Sequence, residues 1–371
     1  MQKQLIAVGM SGGVDSSVAA FLLKEQGADV VGLFMKNWEE ADADGACMSA
    51  READDAAAVC RKLGIGFYSV NFVKEYREAV FAQFLDECRA GLTPNPDVLC
   101  NREIKFKVFL QKAFELGAAR LATGHYCRQI QDQLWKGLDP DKDQSYFLHA
   151  VSSKALLSAL FPIGHLHKNE VREIARRAGL STAEKKDSTG ICFIGERNFK
   201  PFLSQYLGFE KGPLLTLDGK KVGIHDGLAY HTIGQRRGLG LGGEGEAWYV
   251  VKKDLSQNAV YVERGKNHPA LYSDFLIAKE PFWIDGIEPA IPLICNVKIR
   301  YRQKDTPCTL SKSPSGEWVA VFAHPQRAIT PGQSIVFYAG DRCLGGAVIQ
   351  CAGPSYYELK NPLELHEPCK N

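Results

Sequence analysis

The sequence predicts an α/β fold in which a parallel sheet covered by helices is followed by a small central β-rich domain and a C-terminal β-barrel. Three observations predict it. In roughly the first 125 residues, apolar strand-like runs alternate with helical patterns, the signature of a parallel sheet. After about residue 200 the texture changes to Gly, Thr, Val and Tyr punctuated by turns. From about residue 271 onward, short alternating runs such as PLICNVKIRYR, WVAVFA and SIVFYAGDRCLGGAVI suggest a barrel.

In chain order, LIAVGM (5–10), DVVGLFM (29–35), GFYSVNF (66–72) and ARLATGH (119–125) read as buried strands. Helices are predicted near 16–26, 50–63, 74–90 and 103–116, with Gly27, Gly64 and Gly117 where helices should stop. Ligands in such sheets bind at the carboxyl ends of strands, so the loops after Met10, Met35 and Gly124 should face one crevice. Residues 145–182 read as helices, and EVREIARRAGL (170–180) carries Arg172, Arg176 and Arg177, a solvated basic face or a phosphate contact. The segments KGPLLTLDGKKVGIHDGLAYHTIGQ and NAVYVERG supply the small β-unit, and the tail after about 356 is polar and peripheral. The predicted divisions are 1–198, 199–270 and 271–371, in keeping with two or three domains for 371 residues.

The chain is 45% hydrophobic and 24% charged, with no run of 18 apolar residues, which excludes a disordered or helix-spanning membrane protein. MQKQLIAVGM is too short an apolar run for a signal peptide, so cytoplasmic residence is expected. Eleven cysteines without an export signal should be mostly reduced, and the absence of any C-x-x-C pair argues against a zinc ribbon or a cysteine-held cluster. A net charge of +2 means that any nucleic-acid partner must meet local basic patches.

After the first strand comes SGGVDSS (11–17), leading into the helix SVAAFLLKEQG. A Ser-Gly-Gly turn at a helix N-terminus aims backbone N–H groups and the positive dipole end at one point, which suits phosphate oxygens. Gly-Gly before a helix is often mere backbone economy, but the whole string between a buried strand and an apolar helix is more specific. It is not a Walker loop, because the spacing differs and the lysine is missing. Asp15 makes sense there if it meets a magnesium-bound pyrophosphate, which points to cleavage between the α and β phosphates.

Two cysteine segments follow. In TPNPDVLCNREIKF (93–106), two prolines fix a short loop that offers Asp97 and Cys100 just before a helix, with Arg102, Lys105 and Lys107 nearby to favour a thiolate. In KKDSTGICFIG (185–195), Cys192 follows a Ser-Thr-Gly turn and two lysines. Singly, each is more often a small buried residue than a nucleophile. Sulfur transfer, however, needs two thiols, one holding a persulfide and one resolving it as a disulfide. Packing is the default for the other cysteines, including Cys47, Cys60, Cys88, Cys127, Cys295 and Cys308. GLGLGGEGEAW (238–248) lacks a strand-helix context and reads as a β-connection.

The loop SGGVDSS resembles the PP-loop of the ATP pyrophosphatase superfamily, whose adenine nucleotide alpha hydrolase-like domains form adenylates and release pyrophosphate. SGGVDSS, PNPDVLCN, ATGHYCR, KDQSYFL, DSTGICFIGERNF and HTIGQRRGLG together resemble the tRNA-specific 2-thiouridylases over nearly all of residues 1–350. That resemblance implies that Gly9, Met10, Ser11, Gly12, Gly13, Val14, Asp15 and Ser16 hold the ATP phosphates, Met35 meets the adenine and Gly124 lies beside the nucleotide. It implies Cys192 as persulfide carrier, Cys100 as the nucleophile that releases sulfide or closes the catalytic disulfide, and Asp97 as acid or base beside Asn95 and Pro96 at the target base. Contacts to tRNA are implied for His125, Lys142, Asp143, Gln144, Arg300, Tyr301 and Gln333. His125 could instead be a satisfied strand-end histidine, whereas KIRYRQK (298–304) reads as a cationic strand with an interleaved aromatic.

The resemblance further implies ATP with Mg2+ as substrate, no bound redox cofactor or metal cluster, and an anticodon loop as the RNA target. It also implies an upstream persulfide carrier or cysteine desulfurase as donor, no membrane, and a monomer. Two other readings stay open at this point. One is a PP-loop ligase that modifies RNA through an adenylate without a redox cysteine pair; the other is a non-catalytic RNA- or nucleotide-binding protein that kept the fold.

Overall fold

The computed structural model describes residues 4–39, 48–186, 199–208 and 210–363. Strand β1 (Leu5–Met10) alternates its side chains between two cores, with Ala7 on one face and Val8 and Met10 on the other. Both faces are buried, as a parallel sheet demands. Strands β2 (Asp29–Lys36), β3 (Gly66–Asn71), β4 (Arg120–Thr123) and the short β7 (Ala159–Leu160) complete a parallel sheet in the order β3-β2-β1-β4-β7. The chain runs outward from β1 to β3 and then restarts on the other side with β4. The switch point, where ligands bind in such sheets, therefore lies between β1 and β4.

Helix α1 (Val14–Glu25) starts at Gly13 and buries Val14, Val18, Ala19 and Leu23 against the sheet. Helix α2 (Met48–Leu63) covers the same face through Ala56, Val59 and Cys60. The predicted helix stops hold: Gly27, Gly64 and Gly117 all follow helix ends at positive φ. One expectation is corrected. The segment PNPDVLCN is helical, beginning at Pro96 and passing at Cys100 into a π-helical stretch, Cys100–Phe109. Pro96 sits at the first helical position, where its preset φ and missing N–H cost nothing, so a proline pair that reads as a loop opens a helix.

The predicted 145–182 helical stretch contains helices Ser145–Leu148, Ser153–Leu157 and Lys168–Arg177. Ahead of it stands a hairpin that the sequence did not announce, β5 (Cys127–Ile130) with β6 (Gln133–Lys136). This hairpin leaves the parallel sheet and pairs with the barrel, Leu134 opposite Cys343 and Trp135 opposite Arg342.

Strands β8 (Gly212–Leu215), β9 (Lys221–His225), β10 (Trp248–Asp254) and β11 (Ala259–Arg264) form the central sheet around Leu214, Val250, Val260 and Val262. The C-terminal barrel comprises β12 (Tyr272–Trp283), β13 (Leu293–Lys298), β14 (Thr306–Lys312), β15 (Trp318–Arg327), β16 (Ser334–Ala339) and β17 (Arg342–Ala352). It closes through β12 on β17. The KIRYRQK expectation is also corrected: β13 ends at Lys298, so Arg300 and Tyr301 stand in the turn that follows. Among the described residues, no helix is long and apolar enough to cross a membrane.

His149 is buried where the first helical part meets the barrel, its ring so close to Gly346 that a Cβ there would lie 2.4 Å away. Burial pushes its pKa down to about 4, and burial with neighbouring His225 does the same to His231 in the central unit, also about 4. Unfolded imidazoles titrate near 6.5, so between about pH 6.5 and 4 the unfolded chain binds more protons and stability falls with acidification. Melting temperature measured across that window should fall, and His231→Gln should make the fall shallower. An unchanged slope in the variant would remove His231 from the account.

Candidate active site

The loop after β1 is built by backbone and hydroxyls. The Ser11 N–H donates to Ser16 Oγ at 3.1 Å, while the Ser16 and Ser17 hydroxyls donate to the Gly13 carbonyl at 3.2 and 2.8 Å. Gly12 takes φ +70°, and a Cβ there would lie 2.5 Å from the Glu52 carbonyl oxygen of α2. At the other side of the switch point, a Cβ on Gly124 would lie 2.6 Å from Ser16 N and 2.7 Å from the Asp15 carbonyl carbon. Gly9, Met10, Ser11, Gly12, Gly13, Val14, Asp15, Ser16 and Gly124 are thus one contiguous surface around the start of α1, where amide N–H groups and the helix dipole favour an anion. Met35 lies half-buried near the end of the adjacent β2 and packs toward the Leu33 core.

Asp15 is held from two directions. It accepts from the Tyr126 hydroxyl at 2.7 Å and from the Lys168 ammonium at 2.7 and 2.9 Å. Lys185 donates to the Gly12 carbonyl at 3.0 Å and to Asp55 at 2.6 Å. Arg172 donates to the carbonyls of Ala183 and Lys185 at 2.8 and 3.1 Å, and Arg176 pairs with Glu184 at 2.7 Å. Two of the three arginines of that basic helix therefore hold the chain that runs up to the loop. Tyr126 and Lys168 are absent from the residues singled out from sequence, and Lys185 enters there only as one of the two lysines ahead of Cys192. Lys168 lies 153 positions from Asp15, so no local pattern announces it.

Cys100 is fully buried, in the same apolar cluster as Leu33, Leu99, Phe109, Phe202 and Leu203. Its helix runs beneath β1, with Phe109 so near Gly9 that a Cβ there would lie 3.1 Å from the ring. The cationic surroundings expected for Cys100 are partly spent elsewhere, because Arg102 and Lys107 both pair with Glu103, at 2.8 and 2.7 Å. Asn95 is the residue ahead of the helix, and Pro96 and Asp97 form its first turn. Cys192 lies outside the described residues, as does the whole DSTGICFIG segment. The thiols of Cys60, Cys88, Cys295, Cys308 and Cys343 are pushed up by burial to between about 11 and about 12, as packing residues should be.

The residues expected at tRNA gather, but several spend their polar atoms on the fold. Asp143 is 4% exposed; it accepts from the Gly137 and Ser145 N–H groups, from the Ser145 hydroxyl, and from Lys298 at 3.3 Å across the barrel boundary. Gln144 exchanges hydrogen bonds with the Tyr126 backbone at 3.0 and 2.8 Å. The Arg300 guanidinium reaches the carbonyls of Ile233 and Ala328 and the Thr330 hydroxyl, tying central unit to barrel. The Gln333 amide donates to the Thr93 carbonyl at 2.8 Å and lies 3.3 Å from that of Pro94, while the Thr93 N–H donates to Pro331. The barrel thereby fixes the entry to the Pro96 helix. Tyr301 donates to the Lys142 carbonyl at 3.3 Å and packs on Phe147 with ring centroids 4.4 Å apart. His125 bonds Thr123 at 2.7 Å, and desolvation, with Lys105 nearby, holds its pKa well below the ordinary value. It is a neutral imidazole at pH 7, suited to a directional hydrogen bond and not to neutralising phosphate.

A parallel sheet whose switch point carries a Ser-Gly-Gly anion loop, joined to a small β-unit and a closed barrel, defines a nucleotide-binding α/β protein with appended β-domains. Residues 4–196 match the family described as tRNA methyl transferase HUP domain, residues 200–264 its PRC-barrel domain, and residues 273–349 the aminomethyltransferase beta-barrel domain. The chain is 56% identical to the tRNA-specific 2-thiouridylase MnmA of Protochlamydia amoebophila over 371 residues, 99% of this chain and 98% of that protein. It is 56% identical to the protein of that name from Halalkalibacterium halodurans, over 93% of this chain and 94% of that one. With that of Listeria monocytogenes the figure is 55%, over the same shares. The chain belongs to the tRNA-specific 2-thiouridylase family.

Two substitutions probe this geometry. Gly124→Ala drives a methyl group into the loop backbone; overpacking of that kind costs about 1–3 kcal/mol, so nucleotide affinity should fall about tenfold or more. Gly208→Ala, which meets nothing, should leave it unchanged in the same equilibrium binding assay. Asp143→Ala leaves buried Lys298 only the more distant Asp305 carboxylate at 3.9 Å, removes the acceptor of the Gly137 and Ser145 N–H groups, and should cost about 3–5 kcal/mol in denaturant unfolding. A wild-type unfolding curve for that variant would contradict the structural role given to Asp143.

Proposed function

We propose that this chain thiolates C2 of the wobble uridine in tRNA, using ATP and a cysteine persulfide and forming 2-thiouridine, AMP and pyrophosphate. The observation that carries the proposal is 56% identity over 99% of the chain to a named tRNA-specific 2-thiouridylase. The anion loop and the Cys100 helix meeting at β1 support it. An adenylating RNA ligase without sulfur chemistry, or a protein that only binds, is not favoured by relatives of that name.

The uridine C2 oxygen is a poor leaving group. In the proposed cycle it attacks the α-phosphate of ATP, pyrophosphate departs, and the oxygen becomes part of an adenylate. The loop amides of Gly9 to Ser16 offset charge developing on the phosphates. Asp15 presents carboxylate oxygens beside them and would help to hold Mg2+, which would supply Lewis-acid stabilisation to the phosphates. Met35 at the end of β2 is assigned to the adenine and Gly124 to the nucleotide's flank.

The terminal sulfur of a Cys192 persulfide then adds to C2 and AMP leaves. Cys100 attacks the inner sulfur, so that the C2–S bond stays, the S–S bond to the substrate breaks, and a Cys100–Cys192 disulfide forms. The two cysteines supply both electrons, and an external reductant must reopen the disulfide. Cys192 lies seven residues from Lys185, which is bonded to Gly12, and seven from the helix Phe199–Leu203, whose Phe202 and Leu203 share the Cys100 cluster. Asp97, with Asn95 and Pro96, is assigned to the target base.

His125, Lys142, Asp143, Gln144, Arg300, Tyr301 and Gln333 are assigned to the tRNA side, with Asp143, Arg300 and Gln333 acting mainly by holding that surface in shape. The proposal divides the work among residues 1–198, 199–270 and 271–371 and takes the chain as a cytoplasmic monomer. A persulfide carrier or cysteine desulfurase would load it.

Mass analysis of tRNA nucleosides after incubation with ATP, Mg2+ and a persulfide source should reveal 2-thiouridine. Cys192→Ala should abolish it while tRNA-dependent pyrophosphate release continues, and Cys100→Ala should likewise separate the two half-reactions. Full thiolation by Cys192→Ala would overturn the scheme.

A further inference from the structure

SGGVDSS offers a phosphate only backbone amides, hydroxyls and the negative Asp15, yet the pyrophosphate end of ATP carries several negative charges. A cation for it comes from another part of the fold. Lys168, the first residue of the Lys168–Arg177 helix, places its ammonium 2.7 and 2.9 Å from the two Asp15 oxygens. Its side chain is 13% exposed against 31% for Asp15, so the pair is largely shielded from water while the carboxylate side is more open. The stem is anchored independently of the charge: the Lys168 N–H donates to Asp139 at 2.9 Å, and Glu170 closes back on the His167 N–H at 2.7 Å. Val171 and Ala175 of the same helix pack in one core with Val14 and Val18 of α1. The ammonium can therefore change acceptor without moving the helix. Asp15 keeps a second donor in the Tyr126 hydroxyl at 2.7 Å, so it is not left bare if the lysine departs. The other lysine at the loop, Lys185, is bonded to the Gly12 carbonyl and Asp55, one step behind the anion surface.

We infer that Lys168 is the cation that receives the pyrophosphate end of ATP, exchanging Asp15 for phosphate oxygens as the nucleotide enters. This rests on the reading of the loop as an ATP site. The exchange is one of ionic hydrogen bonds alone, with no covalent bond made or broken. It makes Asp15 and Lys168 a matched pair whose separation is driven by the ligand, so affinity should depend on the outer phosphates.

The test is calorimetric binding of ATP, pyrophosphate and AMP, with Mg2+, to the full chain and to Lys168→Gln, Lys168→Arg, Asp15→Asn and the Asp15→Asn/Lys168→Gln double variant, with melting temperatures for each. Loss of one charge-assisted contact should weaken ATP and pyrophosphate by about 10- to 100-fold in Lys168→Gln and leave AMP within about twofold. Lys168→Arg should recover most of the loss, and the double variant should stay weak. Restored ATP affinity in the double variant would overturn the inference, because the lysine would then only neutralise Asp15. Equal losses for ATP and AMP would overturn it too, assigning Lys168 to packing the helix on the loop. Failure of the underlying ATP reading is distinguishable: the wild-type chain itself would then bind neither ATP nor pyrophosphate.

Discussion

The nucleotide end of the molecule depends on one backbone contact, the approach of the β4 end at Gly124 to the peptide between Asp15 and Ser16. That approach leaves no volume for a side chain, and it brings Tyr126, in the strand's continuation, onto the loop. Gly12 repeats the constraint from the other side against α2. With both flanks closed by backbone, the loop amides are held in place by packing, and an anion meets donors that need no rearrangement.

The polar groups that look most like RNA contacts are largely engaged in holding three parts of the chain together. Asp143 and Lys298 join the first part to the barrel, Arg300 joins the barrel to the central unit, and Gln333 pins the entry to the helix that carries Cys100. Each is a charged or amide group with its partners fixed, and a buried ion pair of this kind is strongly destabilising to break even where it adds little net stability. The surface they support is therefore rigid, and Lys142 and Tyr301, joined by a hydrogen bond, stand on it.

Much of the fold was legible because hydrophobic periodicity is local. The four strands read from the apolar runs fall within a few residues of strands of the sheet, whose short fifth strand, β7, lies in a stretch that reads as helical, and the loop-helix junction at Gly13 follows from Ser-Gly-Gly beside an apolar helix. What escaped the reading is non-local. The β5–β6 hairpin takes its meaning from β17, more than 200 residues away, and Lys168 meets Asp15 from 153 positions off. The Pro96 helix was missed for another reason: proline has opposite consequences at the first helical position and elsewhere, and the sequence alone does not say which applies. For the same reason Cys100, expected on a short loop just before a helix with cations nearby, is a buried helical thiol whose neighbours Arg102 and Lys107 already share Glu103.

That burial bears on the chemistry. A buried thiol is shielded from water and stray thiols, so in the proposed cycle Cys100, inside the apolar cluster with Phe109 and Leu203, would be protected until the substrate sulfur is presented to it. The helix that carries it contains a long π-helical stretch with Phe106 off helical dihedrals, and such irregular turns concentrate where side chains must be aimed. The same helix lies under β1, where Phe109 fills the space beside Gly9, so the loop that follows β1 and the helical stretch that begins at Cys100 pack on one strand. In the proposed cycle the carbon is activated at that loop and the thiol that completes the transfer comes from that helix.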